Sequence, residues 1–371
     1  MLNIELNFRN FVSIGLLSAC AIGATICGFT WVNSNTYRTF TGWCRNRENL
    51  TPEAKYTVEV LRIKAGTGDC RKANKILNDL TEIDLGGKKI SDLGPLSSLT
   101  QLTKLSLPLN QISDLEPVAK LSQLTELNLI NNEISELEPL SELTQLAELE
   151  LAGNEISELE PLSELTQLTK LNLAGNKISE LESLSELVQL TDLKLGGNQI
   201  KSLESLSTMT QLTQLELSQN QIKDLEPLAV LTQLTWLDLS ENRILDIESL
   251  SSLTELDRLY LSKNRISDVR SLSELPDLIW LNLNKNRMSD LSALSALSNL
   301  EVLELAGNRV VDVEPLSSLT YLRSLDVSSN QVVKVDVLSS LIDLTSLNLQ
   351  GNPLQERICP LEIENFCRFS E

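Results

Sequence analysis

Residues 146–156 read Leu146-Ala147-Glu148-Leu149-Glu150-Leu151-Ala152-Gly153-Asn154-Glu155-Ile156. As a pattern this is L-x-x-L-x-L-x-x-N-x-I. The L-x-L core has the two-residue alternation of a short strand, with leucines turned one way and variable residues the other. The asparagine follows where the chain turns inward, and its amide can both donate to and accept from backbone groups that the turn would leave unpaired. One such unit cannot cover its own apolar side. Only copies stacked on both faces can do so.

Copies are present. The asparagine recurs every 22 residues without a slip, at Asn110, Asn132, Asn154, Asn176, Asn198, Asn220, Asn242, Asn264, Asn286, Asn308, Asn330 and Asn352. Strand cores run from Ile83-Asp84-Leu85 to Leu347-Asn348-Leu349, thirteen in all, and the first unit has Lys88 in the asparagine place. At about 4.8 Å per strand the stack should extend roughly 60 Å. The rest of each unit reads L-x-P-L-x-x-L, as at Leu159-Glu160-Pro161-Leu162-Ser163-Glu164-Leu165. A proline opening a short 3₁₀ or turn segment suits the outer side of such a coil. The expected fold is therefore an α/β solenoid, with a parallel β-sheet on one wall, turns and 3₁₀ segments on the other, and an amide ladder between.

This unit, with Ile-Ser-Asp-Leu-Gly-Pro-Leu-Ser-Ser-Leu-Thr at 90–100, resembles the internalin-type leucine-rich repeats of bacteria. The resemblance spans residues 80–352. It implies a curved, right-handed solenoid whose concave sheet binds a partner, usually a protein. An immunoglobulin-like domain and a cell-wall sorting motif are not seen after the repeats in this sequence, a departure from the pattern that makes an adhesion or invasion role a weaker expectation.

The remaining chain divides into 1–34, a signal peptide or membrane anchor; 35–79, a helical N-terminal cap; and 353–371, a C-terminal cap. Phe11 to Val32 is an uncharged, largely apolar run long enough to span a bilayer. Cleavage near Ala21 or Ser34, or retention as an anchor, are both open. Leu17-Ser18-Ala19-Cys20 resembles a lipoprotein box, but the apolar run continues past Cys20. Arg9 precedes the run and Arg38, Arg45 and Arg47 follow it, which by charge alone would keep the repeats inside. The cysteines argue otherwise. Outside the apolar run there are four, Cys44, Cys70, Cys359 and Cys367, and none lies in the repeats. Pairs Cys44–Cys70 and Cys359–Cys367 would staple the covers of the two open ends of the stack, which places the repeats in an oxidising, extracytoplasmic compartment: secreted, periplasmic or tethered. In the N-terminal cap, Thr51-Pro52-Glu53 begins a helix and Gly66 stops it, and a second helix starts at Asp69.

Composition narrows the function. A net charge of −20 excludes a general nucleic-acid binder. From Leu121 to Thr169 there are eleven glutamates and no basic residue, a solvated face or a weak Ca²⁺ surface, although no D-x-D-x-D-G loop is present. With no histidine in the chain, Ser-His-Asp, Cys-His and zinc-histidine chemistry is excluded. Gly66-Thr67-Gly68 lacks the G-K-[ST] ending of a phosphate loop. Neither an enzyme, a cofactor nor a metal site is expected.

A binding face is expected. Outward residues fall at the third, fifth and seventh places of each phrase. The third place holds Trp236, Arg258 and Trp280 on three consecutive strands, and the fifth holds Asp238, Tyr260 and Asn282. Trp, Tyr and Arg dominate binding hot spots. The expected function is protein or peptide recognition on this face. Trp and Tyr also stack on sugar rings, so a glycan or envelope polymer is the alternative, and a spacer without a ligand the third reading. If the cluster were structural, Arg258 would stack between the tryptophans. After the asparagine stand Arg243, Arg265, Arg287 and Arg309 in successive repeats, with Asp246, Asp268, Asp290 and Asp312 three residues on. This is either an ion-pair ladder or a secondary, acid-binding edge.

Overall fold

Strand follows strand at the repeat period. The computed structural model describes residues 37–356, 358–361 and 366–369. Its strands are β1 (Glu82–Asp84), β2 (Lys104–Ser106), β3 (Glu126–Asn128), β4 (Glu148–Glu150), β5 (Lys170–Asn172), β6 (Asp192–Lys194), β7 (Gln214–Glu216), β8 (Trp236–Asp238), β9 (Arg258–Tyr260), β10 (Trp280–Asn282), β11 (Val302–Glu304), β12 (Ser324–Asp326), β13 (Ser346–Asn348) and β14 (Cys367–Arg368). They form one parallel sheet in chain order. Every pairing from β1 to β13 is offset by one repeat, as in Trp236↔Arg258 and Arg258↔Trp280. The sheet is the concave wall of the solenoid, and short 3₁₀ turns such as Glu160–Leu162 and Glu226–Val230 line the convex one.

Alternation explains the burial. The central residue of β1 to β13, Ile83 in β1 and leucine in the rest, is buried, as at Leu237, Leu259 and Leu281, while its neighbours on both sides face outward. The asparagine ladder runs through the stack. Asn220 Oδ1 accepts from the N–H of Ile200 in the preceding repeat at 3.0 Å, and its Nδ2 donates to the carbonyls of Leu195 at 3.0 Å and Leu217 at 3.2 Å. The same bonds recur from Asn110, which takes the N–H of Ile90, to Asn352, which takes that of Val332. A second ladder lies before the strand, where Thr191, Thr213 and Thr235 donate through Oγ1 to the carbonyl one repeat back.

The open ends are covered. Helices α1 (Phe40–Arg45), α2 (Pro52–Lys64) and α3 (Cys70–Asn78) precede the sheet. Thr51 caps α2 by accepting the Ala54 N–H, and Asp69 caps α3 by accepting from Arg71 and Lys72. Val58 and Leu61 enter the core, but Ile63 is 78% exposed. The cap docks on the degenerate first repeat: Tyr56 donates to the Lys88 carbonyl at 2.8 Å, and Thr57 to that of Asp92 at 2.7 Å. Trp43 of α1 lies against Gly94, where an added Cβ would come within 2.8 Å of the indole. The following repeat carries Glu116 in the place of Gly94. Glycine thus stands there to make room for the cap.

Both disulfides are present, Cys44–Cys70 and Cys359–Cys367. The fourteenth strand was not legible as a repeat. β14 brings Cys367 opposite Leu347 and gives the Leu349 N–H an acceptor at the Arg368 carbonyl, 2.9 Å away. It covers the last strand edge, which would otherwise present unpaired backbone groups. Among the described residues no helix is long and apolar enough to cross a membrane; the apolar run 11–32 lies outside them.

Candidate functional site

The repeat register fixes which side chains share the inner wall. Because Leu237, Leu259 and Leu281 point into the core, Trp236, Arg258 and Trp280 form one outward column and Asp238, Tyr260 and Asn282 the next. The structure brings the aromatic members together. Trp236 and Tyr260 have ring centroids 5.8 Å apart, and Tyr260 and Trp280 6.2 Å, both tilted. The ring between the two tryptophans is Tyr260, not the Arg258 guanidinium. Diagonal neighbours on adjacent strands are within reach of large rings, and the phenol fills that gap while the more strongly hydrated guanidinium stays out. The Arg258 side chain is 57% exposed, with Nε 3.9 Å from Asp257.

Several features set this stretch apart. The threonine ladder stops there, its column carrying Asp257, Ile279, Glu301 and Arg323 in the next four repeats. Ile279 is 42% exposed beside Trp280. The Trp280 indole N–H is buried with no acceptor among the described residues. Burial raises the Tyr260 phenol above its ordinary range, partly opposed by Arg258. Burial also raises the Asp238 carboxyl, although the Ser240 N–H donates to it at 2.8 Å. Glu304 is raised by burial as well, against the amide of Asn284 at 2.7 Å, and Asn282 donates to the same oxygen at 2.9 Å. Neither acid has a cationic partner within ion-pair distance among the described residues.

The N-terminal half of the same wall is different. A trough of about 820 Å³ lies over β1 to β6, with Glu82, Asp84, Glu126, Glu148 and Glu150 among its lining. It does not coincide with the aromatic cluster, none of whose residues line it. Its charges are largely satisfied internally. Lys104 lies 2.8 Å from Glu126 and 3.8 Å from Glu82, Lys170 is 2.7 Å from Glu148, and Asn172 donates to Glu150 at 2.7 Å. These neighbours raise both lysines, each chiefly through its hydrogen bond to a glutamate. Among the described residues no group of three or more side chains is arranged to hold a metal ion.

The rim does not form the ion-pair ladder. Arg243, Arg265, Arg287 and Arg309 are exposed, and none is paired with an acid among the described residues. Asp246, Asp268, Asp290 and Asp312 instead accept the backbone N–H two residues on, at 2.9 to 3.0 Å. A local turn bond of fixed geometry outcompetes an exposed ion pair worth little in water. Asp268 is held below the usual carboxylate range by Arg270, and Asp290 by the Ser292 N–H.

The comparisons agree with this architecture. The sequence matches the family described as leucine rich repeats (2 copies) at residues 100–142, 144–186, 188–230 and 276–318, and further leucine rich repeat patterns at 210–266 and 318–334. Among solved structures, the internalin InlF of Listeria monocytogenes is 31% identical, with a TM-score of 0.80 over 85% of this chain and 94% of that one. The functional domain of InlJ from the same organism, which includes a cysteine ladder, is 24% identical, with a TM-score of 0.69 over 86% of this chain and 76% of that one. The plant peptide hormone receptor RGFR1, solved in complex with RGF2, shares the fold at 21% identity and a TM-score of 0.64, over 75% of this chain and 48% of the receptor. No curated protein matches the sequence.

Proposed function

Because this chain belongs to the bacterial leucine-rich repeat proteins with internalin-type repeats, we propose that it is a non-enzymatic binding module that takes a protein or peptide on the concave face over β8–β10. The observation that carries this reading is the contiguous triad Trp236, Tyr260 and Trp280, half-buried on three successive strands. Aromatic residues make up only 4% of the chain. Concentrating three on a solvent-facing wall, where the repeat needs none, serves contact better than folding. RGFR1, which shares the fold, is itself recorded with a bound partner. The exposed column Arg243, Arg265, Arg287 and Arg309 supplies a secondary edge for acidic groups of the same partner. The two disulfides fit an oxidising compartment outside the cytoplasm.

The test is capture from a native envelope fraction by the wild-type chain and by the double variant Trp236→Ala/Trp280→Ala. Wild type should retain one or more proteins that the variant loses, with nearly unchanged thermal unfolding. Equal capture by both chains would overturn the reading. Binding on a glycan array with no protein captured would replace the partner class with carbohydrate.

A further inference from the structure

Charge distinguishes the aromatic cluster from the trough beside it. Over β7–β12 the third- and fifth-place columns carry four carboxylates, among them Asp238 and Glu304, against one guanidinium, Arg258. No carboxylate of the four is in an ion pair among the described residues, and Glu304 is met only by the neutral amides of Asn282 and Asn284, while Glu126 and Glu148 of the trough each have a lysine within 2.8 Å. Asp238 lies opposite Tyr260 in the register, and Glu304 two strands beyond it, opposite Asn282. Both carboxylates act electrostatically on the Tyr260 phenol, which places the ring within the field of the two acids. Half-burying a carboxylate without a counter-ion costs free energy that a cation would return. Aromatic faces add to that attraction, and Arg258 is drawn to Asp257.

Resting on the concave-face reading above, we propose that the partner is a protein segment carrying basic side chains, which lies across the strands and sets one Lys or Arg against Asp238 and another against Glu304. The aliphatic stems pack on Trp236, Tyr260 and Trp280, and the charged ends reach the acids. Three strand spacings separate Asp238 from Glu304, about 14 Å. An extended segment advances about 3.4 Å per residue, so the two basic residues stand about four positions apart. The chain's net charge of −20 speeds encounter with such a partner.

The experiment selects a random displayed peptide library on the immobilised full chain and measures the enriched peptides against three variants. Asp238→Asn and Glu304→Gln keep hydrogen-bond acceptors in place, and their folding is checked by thermal unfolding. The enriched peptides should carry two Lys or Arg residues about four apart. Each single variant should weaken binding by about tenfold or more. In double-mutant cycles, replacing one basic residue by Gln should be non-additive with Asp238→Asn, and replacing the other with Glu304→Gln. Peptides lost on Trp236→Ala/Trp280→Ala but indifferent to both acid variants, or peptides that are themselves acidic, would overturn the proposal and leave the concave-face reading standing. Peptides indifferent to the tryptophan variant, or no enrichment at all, would overturn both.

Discussion

The two halves of the inner wall share one backbone and differ in how their side chains are satisfied. Over β1–β5 charged outward residues answer one another, as Lys104 does Glu126, Lys170 Glu148 and Asn172 Glu150, although on β6 one oxygen of Asp192 is buried without a partner among the described residues. Over β8–β11 the answer is only partial. Asn282 and Asn284 donate to Glu304, but among the described residues Asp238 and Glu304 are half-buried without a cation, the Trp280 indole N–H has no acceptor, and the threonine ladder is given up. A surface that completes its own interactions gains little from a partner, since each new contact must replace one already made. The half whose carboxylates lack cations is the one on which binding is worth most, although the trough lies in the other.

This contrast can be broken in three places beyond the capture experiment. The largest effect should be common to both halves. Asn132→Ala under β3 and Asn264→Ala under β9 each orphan a buried N–H and take one of two amide donors from each of two buried carbonyls, which keep the bond from the neighbouring asparagine. Each should therefore cost about 1–3 kcal/mol in denaturant unfolding. Markedly unequal costs would mean that the halves differ in scaffold and not only in surface. A smaller effect should be confined to the N-terminal half. Lys104→Glu and Lys170→Glu stack like charges on adjacent strands. They should lower Tm at low ionic strength and lose that effect at about 1 M salt, where the Debye length is about 3 Å. A salt-independent fall would show that the lysines act by packing.

The smallest effect should appear in the C-terminal half, and with the opposite sign. Burial raises the Asp238 carboxyl, and a group raised in the folded state takes up protons on folding. Its ionised form is a penalty present above the raised pKa and relieved as pH falls through it. Asp238→Asn should therefore give a slightly higher Tm than wild type at neutral pH, and the gap should close in acid. A loss of stability at neutral pH would show that the carboxylate already has a favourable partner.

Much of this was legible in the sequence because the period is strict. Once Asn154 and its eleven counterparts set the register, the columns holding Trp236 and Tyr260 followed from counting alone. What failed was what counting cannot supply. The place between the tryptophans belonged to Tyr260 and not Arg258, because side chains lean along diagonals that a column does not contain. The aspartates beside the rim arginines were taken by nearer backbone N–H groups. β14 has no repeat phrase, and only the unpaired edge of β13 makes a strand there useful. α1 carries no cap signal as plain as Thr51-Pro52, and the trace it leaves is Gly94, a departure explained by Trp43 pressing on it.

The unslipping asparagine ladder also makes the molecule a ruler. Each rung passes its N–H and carbonyls to the next in the same way, so excising or duplicating a whole 22-residue unit leaves every such bond with an equivalent donor and acceptor. Doing so between β6 and β7 would shift the aromatic triad relative to the helical cap by about 4.8 Å, one strand spacing, without touching either. The distance between the capped end and the contact site is thus an adjustable length, graduated in units that the fold itself defines.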